Sequence, residues 1–405
     1  MNKKKVLFVA TVGGFLMRFL TEHVRTLQSL GYEVHYASNF NRKAYDYDEE
    51  QMKKLGVISH RLDIEKSPIA LKTNKKALER LIQIIDREQI ELVDCHTPLG
   101  GVLGRLAGAK SKTRPKVVYT AHGFHFYKGA KGARNIIYKI AEKSLAKKTD
   151  YIVTINKEDY EYAKKHLKLK KDCKNKANKT DSNVFLINGM GLDMEIYKND
   201  MSEEEKLKKR SEIIVPPGAF HIVTTAELNK NKNEKAIIKA ISLIDKDDIY
   251  YSVCGRGPDE ISLKDYIKEK RLENRVKLIG YRNDVPQILQ TADVFAFPSK
   301  REGLGMAALE ALSCEVPLIA AGNRGTREYA LDGENAIVCK RGRVQEYKAA
   351  IEKLYNDREL LNRLKKNCRQ SVKRFSKETV KRQIDAMYKL IAAGDNQESK
   401  KWFKR

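Results

Sequence analysis

The sequence predicts an α/β protein made of two successive doubly wound, Rossmann-like parallel-sheet units. Three observations carry this reading. Short β-branched and aromatic runs alternate with helical apolar patterns along the whole chain. Several runs end in glycine turns that open a helix, as at Gly13-Gly14 and at Gly255-Arg256-Gly257-Pro258. The alternation breaks at Asn188-Gly189-Met190-Gly191 and restarts at His221. With 405 residues, 41% of them hydrophobic, two cores of ordinary size fit.

Val6–Thr11 is the first strand, and Phe15, Phe19, Val24, Leu27 and Leu30 follow at helical spacing up to the stop signal Gly31. Glu33–Ala37 is the second strand, followed by a polar segment with a short helix ending before Gly56. Ser67-Pro68 opens the next helix, with Leu78, Leu81, Ile82 and Ile85 on its apolar face. Leu92–Cys95, Val117–Thr120, Tyr151–Ile155 and Val184–Ile187 continue the sheet, with a helix around Asn135–Lys147. The charged segment Ser202–Ser211 and Pro216-Pro217 belong to the junction between units. Strands at His221–Thr225, Tyr250–Cys254, Val276–Leu278, Val294–Phe297, Leu318–Ala320 and Ala336–Val338 build the second sheet. The expected division is 1–190, 191–375, and a last segment, 376–405. In that segment a helix from Lys377 to Ala393 carries Val380, Ile384, Met387, Leu390 and Ile391 on one face and packs back on the first unit.

Charged residues make up 33% of the chain and the net charge is +26. Such a balance suits nucleic acid, an anionic membrane or an anionic substrate, or only solvated helix faces. The most basic stretch, Lys164–Lys179, lacks the interleaved aromatics of a nucleic-acid site and reads as a helix end entering a loop. Six widely spaced cysteines without a C-x-x-C pair argue against a zinc site or disulfide scaffold and fit a reducing cytoplasm. The lysine-rich, apolar start is broken by Arg18 and is read as a strand and helix instead of a signal peptide. No uninterrupted apolar run reaches about eighteen residues, which argues against a membrane span.

The chemistry concentrates in Thr291–Pro317. An apolar strand runs through Pro298-Ser299 into Glu302-Gly303-Leu304-Gly305 and then a helix carrying Glu310. Glycines let a backbone approach a ligand closely, and a helix start favours anions. The two acids frame this cradle at a separation of roughly 10 Å, wider than a hydrolase acid/base pair and suited to holding two ends of one ligand. Lys230 and Lys232 lie in a strand-to-helix loop, where lysines meet a diphosphate as point charges. Gly255, Gly257 and Arg282 occupy further turns of the same unit. In the first unit, His96 and the loop His122-Gly123-Phe124-His125-Phe126-Tyr127 follow parallel strands, where open α/β sheets bind ligands.

As an ordered set, Gly255–Pro258, Gly280–Pro286, Ala292-Asp293-Val294, Ser299–Glu310 and Gly333-Glu334-Asn335 closely resemble the retaining glycosyltransferases of family 4, which have the GT-B fold. Thr120–Lys128, TAHGFHFYK, resembles the subset that builds bacterial capsular and exopolysaccharides. The resemblance implies two domains facing across a cleft and a UDP-linked sugar donor. It implies Glu310 at the ribose, Glu302 at the hydroxyls of the transferred sugar, and Lys232 at the diphosphate. The backbone of Gly303, Leu304, Gly305 and Met306 would hold sugar and phosphate oxygens, and His122 would stand at the reacting sugar. His122 and Glu302 are thus the candidate catalytic residues. Gly13, Gly14, Lys230, Gly255, Gly257 and Arg282 join the donor set, and His96, His125 and Tyr127 the acceptor side. No cofactor or metal is implied, so the charge of the leaving UDP must be offset by the protein. One departure stands out: the family commonly has arginine five residues before the phosphate lysine, and here that residue is Glu227, which leaves Lys230 as a second cation.

The expected activity is transfer of a hexose or N-acetylhexosamine to a lipid-linked saccharide, with retention of configuration, at the cytoplasmic face of the membrane. The cationic first unit and the Trp402-Phe403-Lys404-Arg405 tail favour peripheral binding to an anionic surface. The alternatives are a UDP-N-acetylglucosamine 2-epimerase on the same fold and a basic nucleic-acid-binding protein. The first would need carboxylates at the C2 position, and the second would bind DNA or RNA without UDP.

Overall fold

In a computed structural model, the described residues are 3–41, 45, 47–65, 67, 69–127, 132–170, 183–340 and 343–393. Pro68, Cys173, the 171–179 part of the basic stretch and the tail from 394 onward, including Trp402 and Phe403, lie outside them. The chain forms two compact units: one contains residues 1–190 and 378–405, the other 191–377.

The first unit runs β1 (Lys4–Val9), α1 (Phe15–Phe19), α2 (Thr21–Ser29), β2 (Tyr32–Ser38), α3 (Glu49–Lys54), β3 (Val57–Arg61), α4 (Leu71–Glu88) and β4 (Leu92–His96). It continues α5 (Pro98–Lys110), β5 (Lys116–Ala121), α6 (Ala133–Ala146), β6 (Tyr151–Thr154), α7 (Lys157–His166) and β7 (Val184–Leu186). The second unit contains α8 (Glu203–Glu212), β8 (Phe220–Thr225), α9 (Glu234–Ile241), β9 (Ile249–Cys254), α10 (Glu260–Glu269), β10 (Val276–Gly280), α11 (Val285–Gln290) and β11 (Val294–Phe297). It ends with α12 (Met306–Ser313), β12 (Leu318–Ala321), β13 (Ala336–Cys339), α13 (Val344–Asn356) and α14 (Arg358–Ser371), after which α15 (Lys377–Ala393) returns the chain to the first unit.

Both sheets pair in parallel throughout, in the orders β3-β2-β1-β4-β5-β6-β7 and β10-β9-β8-β11-β12-β13. The strand order reverses between β1 and β4 in one sheet and between β8 and β11 in the other. Such switch points open a crevice at the carboxyl ends of the strands, where ligands bind. The strands are apolar because both faces of a doubly wound sheet are covered by helices. β4 carries buried charge chemistry as well: alternation sends Val93 and Cys95 into one core, and the same period of two puts Asp94 and His96, both fully buried, on the other face.

Five elements differ from the sequence reading. β3 was not expected, because its sequence VISHR buries only Val57 fully; it is an edge strand, and polar exposed residues suit an edge. The first helical stretch breaks at Leu20 into α1 and α2. The next long helix starts at Leu71. Ser202–Ser211, assigned to the junction, is helical, and the Ser202/Glu205 capping box that starts it was present as S-x-x-E. On α15 the fully buried face includes Tyr388 in place of the expected Leu390.

Candidate active site

In the second unit the switch-point loops follow β8 and β11. The β8 loop is threaded past the G-x-G turn so closely that side chains are forbidden there. A Cβ at Gly255 would lie 1.8 Å from the Ala226 carbonyl oxygen, and one at Gly257 2.3 Å from that of Leu228. Leu228 and Arg256 close this crossing with a 3.0 Å backbone hydrogen bond. These glycines therefore set the path of the loop that carries the lysines. The two switch-point loops are also tied together: Lys300 N–H donates to the Asn231 carbonyl (2.8 Å) and Asn231 Nδ2 to that of Arg301 (2.9 Å).

That tie places Lys232 beside Glu302, with Nζ donating to Oε1 across 2.7 Å. The ammonium also lies 5.7 Å from the centre of the Phe297 ring. Lys230 and Glu227 are exposed, and Glu227 accepts from Asn229 Nδ2 (3.2 Å). Asn233 enters α9 in the left-handed region (φ 65°), a conformation asparagine tolerates better than most residues. Glu234, the first residue of α9, is buried with Oε1 unpartnered, and burial pushes its carboxyl up to about 7.

The loop after β11 turns into α12 at Gly305, whose φ of 95° favours glycine. A Cβ there would meet the Phe297 ring and the Tyr329 hydroxyl at 2.8 Å. Leu304 is buried, Gly303 and Met306 are half-buried, and half-buried Glu310 sits in the second turn of α12. The opening amides of a helix have no intrahelical partner, so this end favours negative charge.

Three residues that support this cradle were missed from sequence. Asn323 Nδ2 donates to the Ser299 carbonyl (2.8 Å), and the Tyr329 hydroxyl donates to that of Leu304 (2.8 Å). Gly325 packs so that a Cβ would lie 2.9 Å from Glu302 Cβ. The glycines at 322 and 325 after β12 were the available signal, since another backbone approaches closely there.

Arg282 has a different occupation from the donor contact expected. Its Nε donates to Asp284 Oδ1 (2.8 Å), and one Nη reaches both Asp284 Oδ2 and Glu212. Arg282 first, with Lys209, holds the Asp284 carboxyl well below the usual carboxylate range. The guanidinium fork is thus used within a structural ion-pair cluster between α8 and the β10–α11 turn.

In the first unit, Gly13 and Gly14 lie at the switch point, but both are buried. A Cβ on Gly13 would come within 2.6 Å of the Phe40 ring, which gives that glycine a packing reason. His122 follows β5 half-buried, with Nε2 3.2 Å from His96 Nδ1. His96, expected on the acceptor side, has no exposed surface at all: as the last residue of β4 it points inward beside Asp94, so it cannot touch an acceptor. His125 is half-buried with its ring 5.1 Å from that of Tyr138, and Tyr127 is half-buried. Asp159 Oδ2 accepts from Phe124 N–H (3.0 Å) and so pins the start of this loop.

Two family models match the chain, one within each unit. Residues 5–156 match the model described as glycosyl transferase 4-like, and residues 205–371 match glycosyl transferases group 1. The chain is 33% identical over 398 residues to EpsD of Bacillus subtilis (strain 168), which carries a glycosyltransferase name, covering 98% of this chain and 99% of that one. The chain belongs to the family 4 glycosyltransferases. It is also 28% identical over 314 residues to the UDP-Gal:alpha-D-GlcNAc-diphosphoundecaprenol alpha-1,3-galactosyltransferase of Escherichia coli, covering 75% of this chain and 76% of the relative. Among solved structures, HepE of Anabaena in complex with UDP and glucose superposes with a TM-score of 0.74 at 18% identity, over 96% of this chain and 100% of the other. The last likeness establishes the GT-B architecture for this glycosyltransferase. No helix among its described residues is long and apolar enough to cross a membrane.

Proposed function

We propose that the protein transfers a hexose or N-acetylhexosamine from a UDP-sugar to a lipid-linked saccharide in polysaccharide biosynthesis, with retention of configuration. The Lys232–Glu302 pair at the second unit's switch point carries this reading. A sugar diphosphate supplies a partner for each member: phosphate oxygens for the ammonium and sugar hydroxyls for the carboxylate. Glu310 accepts hydrogen bonds from the ribose hydroxyls, and the start of α12 faces the phosphates. Lys232 then offsets the charge that grows on UDP as it leaves, so the reaction needs no metal. The family resemblance gives His122 of the first unit a role at the transferred sugar.

The acceptor side of the proposal has its own support. α6 exposes Ile136, Ile137 and Ile140 (59, 62 and 62%) next to exposed Arg134 and Lys143. An apolar stripe flanked by cations suits the headgroup region of an anionic bilayer, where a lipid-linked acceptor resides. The relative that acts on a diphosphoundecaprenol-linked sugar agrees with this class of acceptor.

The deciding experiment is transfer from a panel of UDP- and GDP-sugars to a polyprenyl-diphosphate saccharide in the presence of EDTA, with the product anomer read by proton NMR. An α-donor should give an α-linked product. An inverted product, a requirement for a divalent cation, or turnover with GDP-sugars alone would each overturn the corresponding part.

A further inference from the structure

The connection between β3 and α4 ends in an apolar tip: Ile69 and Leu71 are 85 and 73% exposed. The tip is a built turn. Asn74 of α4, only 7% exposed, accepts from Glu65 N–H at Oδ1 (3.0 Å) and donates from Nδ2 to the Ser67 carbonyl (3.1 Å). Ala70 N–H donates to the same carbonyl (3.2 Å). These bonds fold the connection back on the helix and leave the two apolar side chains in solvent, where their exposure is a cost unless something covers them.

Next to the tip, an open groove of about 370 Å³ lies between the end of β3 and α4, lined by Arg61, Asp63, Lys72, Lys76 and Arg80 above buried Leu62. Lys72, Lys76 and Arg80 recur every four residues, so they line one face of the helix and repel one another. The neighbouring Lys75 shows the contrast, since Glu79 stands four residues on with Oε1 4.0 Å from its Nζ. Among the described residues, Lys72, Lys76 and Arg80 form no ion pair, and Arg61 reaches Glu49 only at 3.6 Å with both side chains largely exposed. The first turn of α4 has no acid, so Lys72 also opposes the positive end of the helix dipole. Four cations thus face a groove with one acidic lining residue, Asp63, and an anion would relieve each of these repulsions.

We propose that this groove binds the diphosphate of a polyprenyl-diphosphate carrier, with the start of the hydrocarbon chain lying on Ile69 and Leu71. A diphosphate presents several acceptor oxygens and more than one negative charge, which lysines meet as point charges and arginines as planar forks. The chain supplies what the apolar tip lacks. All strands of the first sheet are parallel, so β3 ends on the same carboxyl edge as the loops after β1 and β5 that carry Gly13 and His122. A carrier held in the groove presents its saccharide along that edge. Its identity as the acceptor's anchor rests on the proposed lipid-linked acceptor; the affinity of the groove for a lipid diphosphate does not.

The test is calorimetric titration of the full chain with farnesyl diphosphate while UDP saturates the donor site. Farnesol and inorganic pyrophosphate serve as the two half-ligands, and vesicles of phosphatidylcholine and phosphatidylglycerol as a general anionic surface. Farnesyl diphosphate should bind once per chain and about tenfold or more tighter than either half-ligand. The double variant Lys72→Gln/Lys76→Gln should weaken it about tenfold or more and raise KM for a polyprenyl-diphosphate saccharide by a similar factor, with kcat and UDP affinity within about twofold. Both lysines are exposed, so the variant should melt as the native protein does. Ile69→Ser/Leu71→Ser should weaken farnesyl diphosphate and leave pyrophosphate unchanged. Undiminished farnesyl diphosphate affinity in the lysine variant overturns the proposal, and if that variant loses vesicle binding alone the cations serve a general bilayer contact instead. Farnesyl diphosphate that binds no better than pyrophosphate overturns the chain contact. If no lipid-linked saccharide accepts sugar, the proposed acceptor fails separately, and the titration still decides the groove.

Discussion

Lys232 and Glu302 come from loops 70 positions apart in sequence and meet at 2.7 Å in the crevice where the second sheet reverses its strand order. Each neutralises the other in this geometry. The pair therefore predicts an asymmetric response to mutation. Lys232→Ala should weaken UDP binding by about 1–3 kcal/mol, because a charge-assisted contact is lost. Glu302→Gln removes the competing carboxylate, so UDP should bind as well as or better than to the native protein while sugar transfer slows. Calorimetry with UDP separates the two; equal losses of UDP affinity would show that Glu302 does not face the sugar.

Glu310 projects from the second turn of α12, beyond the glycine that starts the helix. On the proposed ribose contact, Glu310→Ala should cost about 1–3 kcal/mol of UDP affinity and much less of diphosphate affinity, because pyrophosphate has no ribose hydroxyls. Titrations with UDP and with pyrophosphate should diverge in this variant. Parallel changes would remove its ribose assignment.

How far the sequence could be read depended on where each signal originates. Buried parallel strands such as Val294–Phe297 advertise themselves because both faces are covered, whereas β3 pairs on one side only and carries ordinary polar residues. Lys232 and Glu302 were readable from their place after strands, since topology sends such loops to one edge. Their direct pairing was not, because it depends on the Asn231 hydrogen bonds that join the two loops. His96 was taken for a loop residue; the alternating Asp94-x-His96 pattern, two polar side chains on one face of a buried strand, was the clue to an internal network. Tyr388, whose hydroxyl donates to Asp94, gave no comparable signal, because an aromatic at helical spacing fits an apolar face equally well.

The G-x-G turn makes a stability prediction independent of chemistry. A Cβ at Gly257 would sit 2.3 Å from the Leu228 carbonyl oxygen and 2.6 Å from its nitrogen, and a backbone cannot rotate aside as a side chain can. Overpacking against mobile neighbours costs about 1–3 kcal/mol, so Gly257→Ala should reach at least the upper end of that range. A fall of about 5 °C or more in Tm is expected, with UDP binding weakened because the same turn sets the path of the lysine loop. A native melting profile would mean that the two loops can separate without cost.

Four histidines with lowered folded values, His23, His60, His122 and His221, shape the acid side of the stability profile. Burial is the largest influence on each, holding His23 at about 3 and both His60 and His221 at about 4, against 6.5 when exposed. Between those values and 6.5 the unfolded chain binds protons that the folded chain refuses, so stability falls as pH drops. The fall should begin near pH 6.5 and continue steadily toward pH 4. Thermal melts of Glu234→Gln between pH 7 and pH 5 lie above most carboxylate titrations and lack the carboxyl that burial raises to about 7, so a flat Tm there would mean these rings are charged in the folded protein.

Glu234 works in the opposite direction. Burial raises its carboxyl from 4.5 to about 7, while nearby Lys232 lowers it less. A raised folded value means that its neutral form is tolerated: stability is whole below about pH 4.5 and is lost as pH rises toward and through 7. Glu234→Gln keeps the shape and cannot ionise. The variant should melt close to the native protein at pH 5 and be more stable at pH 8 by about 1–3 kcal/mol, on the scale of 1.36 kcal/mol per pKa unit. Because Glu234 is the first residue of the helix that follows Lys232, the same variant should also bind UDP more tightly at pH 8 than the native protein, where a second carboxylate beside the phosphates has been removed. Stability and UDP affinity differences that do not change between pH 5 and pH 8 would mean that Glu234 does not titrate in this range.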